Sequence, residues 1–449
     1  MKEQTSIPTG KVERASRFVA TGLKVGGNYI KHYTKKLIDP SVSREELHAD
    51  NASDIYDTLS DLKGSALKVA QMLSMDKGML PKAYTERFAM SQYSAPPLSG
   101  PLVVNTFIKT LGAPPSRLYD RFELQAANAA SIGQVHRASK WGKELAVKIQ
   151  YPGVASSVRS DLRIVKPFAL RIVGMNEVDM DKYFQEIESK LLEETDYKLE
   201  LRRSMEVSAE CAHIPNLIFP TYYPELSSDR IITMDWLDGF HLKEFLALGP
   251  SQEVRDRIGQ ALWDFYQFQV HTLRRVHADP HPGNFLMRED GTVGVFDFGC
   301  IKEIPADFYE NYFALVDSAA GSSAVDFSAA AGSSLAASAA ADRRREIYTN
   351  LEMIHPSDTE KEIEFFSGLF QKMIDMLTLP FTREEFDFGD ESYFTAIYEY
   401  MDYVSNLKEV RESKVARGSR HSLYVNRTYF GLYSILSDLK ARVKTGRAE

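Results

Sequence analysis

The sequence predicts an α+β protein of two lobes, a small sheet-bearing one and then a mostly helical one, with a helical extension in front. Three observations carry this expectation. Residues 121–151 hold three short strand-like segments and residues 217–236 hold two more, while the chain on either side follows helical periodicity. Pro96, Pro97, Gly100 and Pro101 punctuate the chain between the extension and the strands. Finally, the run His277–Gly299, HADPHPGNFLMREDGTVGVFDFG, concentrates acidic and amide side chains at the head of the helical part. The boundaries follow: 1–100 for the extension, 101–238 for the first lobe with a helical insertion, and 239–449 for the second lobe.

At 449 residues, with ordinary charged and apolar fractions, the chain is long enough to bury full-sized cores. The net charge of −8 argues against general nucleic-acid binding. Cys211 and Cys300 form no metal-binding spacing and read as reduced thiols. No run approaches a membrane span of ~18 apolar residues; the nearest, 318–341, is Ala, Ser and Gly interrupted by Asp326. With no apolar signal core either, the sequence predicts a cytoplasmic protein.

Taken in order, residues 1–37 carry Lys2, Lys11, Arg14, Arg17, Lys24, Lys31, Lys35 and Lys36 against Glu3 and Glu13. Phe18, Val25, Tyr29 and Tyr33 recur there at helical spacing, as do Val19, Leu23 and Ile30. Such a helix can dock on the rest of the chain or lie on an anionic membrane, and composition leaves both open. A helix is predicted over Asp54–Met75, capped by Ser53 or Asp54, and a shorter one over Lys82–Tyr93. Phe122–Leu124, Gly133–Ala138 and Glu144–Gln150 are predicted strands, the last two joined by a turn at Trp141-Gly142-Lys143. One long helical region is expected to about Ala212, then strands at Leu217–Phe219 and Arg230–Trp236. An amphipathic helix over Glu253–Val276 is expected to lead straight into the His277–Gly299 run.

In that run, Asp279 is followed five residues on by Asn284, and Asp297 opens an Asp-Phe-Gly after an apolar stretch. Protein kinases use this layout: one Asp faces the phosphoryl acceptor, while the Asn and the second Asp hold Mg²⁺. An isolated Asp-Phe-Gly would read as a surface loop, but two elements at this spacing do not. Lys148, closing the strand of ELAVKIQ, fits the lysine that contacts the α- and β-phosphates of ATP. Its carboxylate partner belongs on the following helix, where Glu194 is the best candidate and Glu193 and Glu200 are rivals on spacing alone. The nucleotide-covering loop falls at Ala126–Gly133, where Ala129, Ala130 and Ser131 replace the usual glycines. Alanine adds a methyl group and loses conformational freedom, so this loop cannot cradle phosphates in the usual way.

With AANAASIGQVHRA, HADPHPGNF and the Asp-Phe-Gly, the chain resembles the UbiB/AarF-type atypical kinases, associated with coenzyme Q (ubiquinone) biosynthesis. The resemblance runs from about residue 8 to 435. The family's K-x-G-Q is matched by Lys68-Val69-Ala70-Gln71, with Ala70 where its members usually have Gly, and its E-x-D by Glu194-Thr195-Asp196. The resemblance implies a protein-kinase-like fold using ATP and Mg²⁺, with Lys68 and Gln71 projecting into the active site and Lys68 near Glu194 or the phosphates. It also selects Glu194 as the residue that orients Lys148. The expected roles are then Lys148 on the phosphates, Asn284 and Asp297 on Mg²⁺, and Asp279 orienting the attacking hydroxyl or water. The expected function is an atypical kinase or ATPase supporting isoprenoid-quinone lipid biosynthesis. The implied partners are ATP and ADP, a quinone-precursor lipid or peripheral membrane surface, and other quinone-biosynthesis proteins. The alternatives are a nucleotide-gated lipid- or protein-binding module and a small-molecule kinase.

Overall fold

The computed structural model describes residues 11–38, 44–62, 66, 68–69, 83–84, 87, 97–129, 132–173, 177–319, 334–411, 413, 415 and 417–446. They fall into two units, Met1–Met205 with Thr221–Trp236, and Glu206–Pro220 with Leu237–Glu449.

The first unit is built on an antiparallel sheet of β1 (Arg121–Ala129), β2 (Gly133–Lys140), β3 (Lys143–Gln150) and β5 (Ile231–Asp235), in the order β1-β2-β3-β5. Trp141 and Gly142 turn β2 into β3 with φ of 54° and 73°, the two left-handed residues of a tight hairpin. The central strand β3 buries Leu145, Ala146, Val147 and Ile149 in near-continuous sequence, which is why its apolar run does not alternate. The helix Gly100–Leu111 begins with Pro101 in its first turn, ends at Gly112 (φ 74°) and packs Val103 and Phe107 on the sheet core.

β1 extends past Leu124 through the alanine-rich stretch, pairing Ala126 with His136, Asn128 with Val135 and Ala129 with Gln134. Register shifts between Phe122 and Asn128 absorb the irregular spacing, so Ala126–Ala129 is bulged strand and not open loop. A buried polar chain stabilises this end of the sheet. The Leu98 amide donates to Gln134 Oε1 (2.7 Å), the Gln134 amide meets His136 Nε2 (2.7 Å), and His136 Nδ1 faces the Glu123 carbonyl (2.8 Å).

Within this unit a second core joins the extension to the insertion: Ile55, Leu59 and Val69 pack with Val158, Leu162, Ile187 and Leu191. The helix Arg44–Leu62 starts ten residues earlier than expected, because Leu47, Asn51 and Ala52 are already buried; Ser53 and Asp54 are therefore interior, not caps. Residues 73–75, and most of 82–93, lie outside the described residues. The basic helix Lys11–Ile38 docks on Arg44–Leu62 through polar groups: Thr21 on Thr58 (2.5 Å), Asn28 on Asp54 (2.8 Å), Lys31 on Asp50 (3.2 Å) and Lys35 on Glu46 (2.7 Å). Val19, Leu23 and Ile30 point the other way and are exposed.

The long helical region expected after β3 is three helices, Val154–Val173, Glu177–Glu194 and Tyr197–Cys211. The last break is made by Asp196, whose Oδ1 accepts from the Leu199 amide (3.0 Å) and so caps a new helix.

In the second unit the helix Gln252–Phe268 is capped by Ser251 and carries Ile258, Leu262, Phe265 and Tyr266 into the core. It does not reach Val276. A single π turn, Gln269–Leu273, ends it; Arg274 takes a left-handed conformation (φ 53°), and β6 (Arg275–His277) pairs antiparallel with β9 (Ile301–Glu303). β4 (Leu217–Ile218), β8 (Val293–Val295) and β7 (Phe285–Met287) form a second small sheet in the order β4-β8-β7. The helices Ala306–Ala319, Glu360–Thr378 and Arg420–Leu439 complete the described core. Of the alanine-rich stretch 318–341, residues 320–333 lie outside the described residues. No described helix is long and apolar enough to cross a membrane.

Candidate active site

Two clusters of sequence-predicted residues form, one in each unit. In the first unit, β3 presents Lys148 between Val147 and Ile149, paired backbone to backbone with Val135 and Ile232. Lys148 Nζ lies 2.6 Å from Glu200 Oε1, with side chains only 16% and 4% exposed, and 5.2 Å from the Tyr197 ring centroid. Glu194 instead receives Lys68, Nζ to Oε2 at 3.2 Å. The carboxylate found against Lys148 is Glu200, and Glu194, expected there, is found against Lys68. The cause is the break at Thr195-Asp196: Glu194 ends one helix, while Glu200 sits in the first turn of the next and is buried. Spacing admitted Glu200, but one continuous helix gave no way to choose it.

The start of β2 lies close against β3 and Tyr197 here. A Cβ on Gly133 would stand 2.7 Å from the Ile149 carbonyl oxygen and 2.8 Å from the Tyr197 hydroxyl, so no larger residue fits. Ala130, Ser131, Ala70 and Gln71 lie outside the described residues.

In the second unit, β6 delivers His277 and the loop that follows. Asn284 Nδ2 donates to the Asp279 carbonyl (2.9 Å) and reaches toward Asp279 Oδ2 (3.4 Å). This commits the amide nitrogen and leaves Asn284 Oδ1 as a hard oxygen acceptor. Asp297 follows β8, and its Oδ1 accepts from the Gly299 amide (3.0 Å), which sets the carboxylate's direction. The Asp297 carboxylate and the Asn284 amide oxygen, both half-buried, are hard oxygens of the kind Mg²⁺ takes. Among the described residues no group of three or more His, Cys, Asp or Glu side chains could hold a metal ion.

Histidines brace this loop. His277 is fully buried; burial pushes its imidazole below the ordinary value, against the opposing pull of the Asp279 and Asp297 carboxylates. Its Nδ1 faces the Tyr266 hydroxyl at 3.4 Å. His281 Nδ1 accepts from the Gly283 amide (3.0 Å), shaping the turn Pro282–Asn284. Ala278 donates to the Cys300 carbonyl (2.8 Å), tying the loop to the segment behind Asp-Phe-Gly. Two supporting residues had no signature in the sequence: Gln269, whose Oε1 accepts from the His277 amide (2.9 Å), and Gly431, whose Cα faces Pro280.

Residues 90–325, more than half of the chain, match the ABC1 atypical kinase-like domain. The chain belongs to the ABC1 (UbiB/AarF) atypical kinase-like family. Among ABC1-family relatives, it is 29% identical over 334 residues to the probable serine/threonine-protein kinase abkA of Dictyostelium discoideum, covering 69% of this chain and 59% of that one. It is 28% identical over 317 residues to the mitochondrial atypical kinase COQ8 of Saccharomyces cerevisiae, covering 69% and 63%. In each case the chain spans less than two thirds of the relative's own length. The complex of Rv3197 with erythromycin from Mycobacterium tuberculosis has the same kinase-like fold, with a TM-score of 0.56 at 24% identity, covering 89% of this ABC1 chain and 95% of that one.

Proposed function

We propose that this ABC1-family chain is an ATP-binding, Mg²⁺-dependent atypical kinase or ATPase that supports isoprenoid-quinone lipid biosynthesis. The observation that carries the reading is the largely buried Lys148–Glu200 pair: a lysine near the end of β3, mostly out of water and held by the Glu200 carboxylate, is placed to bind phosphate oxygens. In this reading Lys148 binds the α- and β-phosphates and Glu200 orients it. Asn284 and Asp297 would hold Mg²⁺, which when bound neutralises the triphosphate. Asp279, fixed through Asn284, orients the attacking hydroxyl or water. Lys68 and Glu194 bring the extension to the same unit as Lys148, and Ala129, Ala130, Ser131 and Gln71 would border the nucleotide. The quinone link is supported by the likeness to COQ8-named kinases; a quinone-precursor lipid, a membrane surface and other quinone-biosynthesis proteins are the partners proposed with it.

The test is ATP hydrolysis by the purified chain, with and without anionic liposomes and phenolic quinone-precursor mimics. Stimulation by either supports the lipid-linked enzyme, and Asp297→Asn should abolish turnover with the fold intact. Tight nucleotide binding without turnover under every condition would replace this reading with a nucleotide-gated binding module.

A further inference from the structure

The helix Gln252–Phe268 ends in a π turn, an uncommon and locally loosened geometry that occurs most often at functional sites. Gln269 opens that turn and is 1% exposed. Its side chain spans the irregularity. Nε2 donates to the Phe265 carbonyl, inside the regular helix, at 3.1 Å. Oε1 accepts from the backbone amide of His277, beyond the turn, at 2.9 Å. The chemistry fixes the sense of this amide, because a carbonyl can only accept and a backbone N–H can only donate. A side chain must therefore offer one donor and one acceptor at Gln reach, and both bonds lie out of water, where an orphaned N–H is costly.

His277 is two residues from Asp279. Its neighbour Ala278 is tied to Cys300, and β6 pairs with β9, so the loop is anchored on the Asp-Phe-Gly side by backbone bonds. Gln269 supplies the side-chain anchor toward the helix. We infer that Gln269 is a positioning residue: it locks the His277 backbone across the π turn and so sets where the Asp279 carboxylate stands. The inference rests on Asp279 acting in phosphoryl transfer.

The test compares the full-length wild type with Gln269→Met, which keeps the volume and removes both bonds, and Gln269→Glu. For Gln269→Met, kcat for ATP hydrolysis should fall by about 10 to 10²-fold while KM for ATP stays within about twofold, since misplacing a reacting group costs rate before binding. Amide hydrogen exchange across 275–285 should quicken, while exchange across 286–295 should not. Gln269→Glu adds a signature that packing alone does not give. Protonated, its carboxyl can make both bonds; ionised, it sets negative charge against the Phe265 carbonyl. Its turnover relative to the wild type should therefore fall as pH rises. Unchanged kcat, unchanged exchange across 275–285, or a loss of turnover that merely follows the folded fraction would overturn the inference. A wild type without turnover would remove the phosphoryl-transfer reading instead, and the exchange measurement would still decide whether Gln269 holds the loop.

Discussion

Gly431, on the helix Arg420–Leu439, lies against the loop that carries Asp279, and replacing it with Ala should disable that loop with the rest of the unit intact. A Cβ at 431 would sit 2.2 Å from Pro280 Cγ, 2.8 Å from its Cβ and 3.1 Å from its carbonyl oxygen. Ordinary carbon–carbon contact is about 3.6 Å, so helix or loop must yield by roughly 1.4 Å. The Pro280 ring cannot swing aside, and the helix is held by buried Leu432, Tyr433, Ile435 and Leu436. The loop is the softer partner, and Pro280 adjoins Asp279. Overpacking of this kind costs about 1–3 kcal/mol of stability, whereas a displacement of about 1 Å at a reacting group costs about 10²-fold in rate. Activity should therefore fall far more than the melting temperature. The assay is steady-state ATP turnover beside thermal unfolding, with Pro280→Ala added to Gly431→Ala to return space; the pair should couple, recovering part of the lost rate. Full activity in Gly431→Ala, or a loss matched by unfolding, would refute the reasoning.

Other outcomes are expected from the same contacts. Glu200→Ala removes the carboxylate 2.6 Å from the largely buried Lys148 ammonium and should cost on the order of 3–5 kcal/mol together with ATP turnover. Glu194→Ala leaves the Lys148–Glu200 pair intact and should be milder in melting; the reverse order would return Lys148 to Glu194. Arg417 grips Asp358 with two bonds (2.7 and 2.8 Å) at 9% and 4% exposure and stacks on Phe366, so Arg417→Ala should lower unfolding free energy by about 3–5 kcal/mol. Burial holds His136 and His277 below the ordinary imidazole value, so the unfolded chain binds more protons as pH falls. Stability from this source is full above the unfolded imidazole value of about 6.5 and should drop as pH falls below it, with a slope of at most about 1.4 kcal/mol per pH unit for each imidazole. The Asp358 carboxyl, held low first by its bond to Arg417, titrates only in stronger acid and does not confuse that window. Chemical denaturation at pH 8, 6.5 and 5 reads the slope, and a flat profile would contradict it.

Much of the fold was legible because its signals are local. The β2–β3 hairpin needs only a left-handed pair at Trp141-Gly142 between two strand-like runs, the second of them apolar, and both are visible in eight or so residues on each side. The misreadings share one cause: a local rule was overruled by partners distant in sequence. The alanine-rich stretch after Leu124 looks like a loop by composition, yet β2 offers it a backbone ladder, and alanine takes strand geometry readily when the partner is already there. The helix from Arg44 begins before its polar-looking residues end because Leu47 is already buried and Ala52 joins the core shared with Val158 and Ile187.

The site divides along the same line. Asp279, Asn284, Asp297 and Lys148, the residues proposed to carry the chemistry, stand out as candidates because that chemistry fixes both residue type and spacing along one short segment or strand. Glu200 could not be singled out, because its claim rests on where Asp196 restarts a helix, and a carboxylate six residues away has the same chemistry. Gln269 and Gly431 are further removed. They act by placing other atoms, the His277 amide and the Pro280 ring, and any sequence offers many glutamines and glycines without saying which backbone each will meet. Residues that react are constrained by chemistry, which a sequence displays. Residues that position them are constrained by distance, which only the folded chain supplies. Supporting residues of this kind are therefore where divergent members of the family should differ in rate while keeping the same catalytic residues. Exchanging Gln269 or Gly431, with every reacting group untouched, is the direct way to show it.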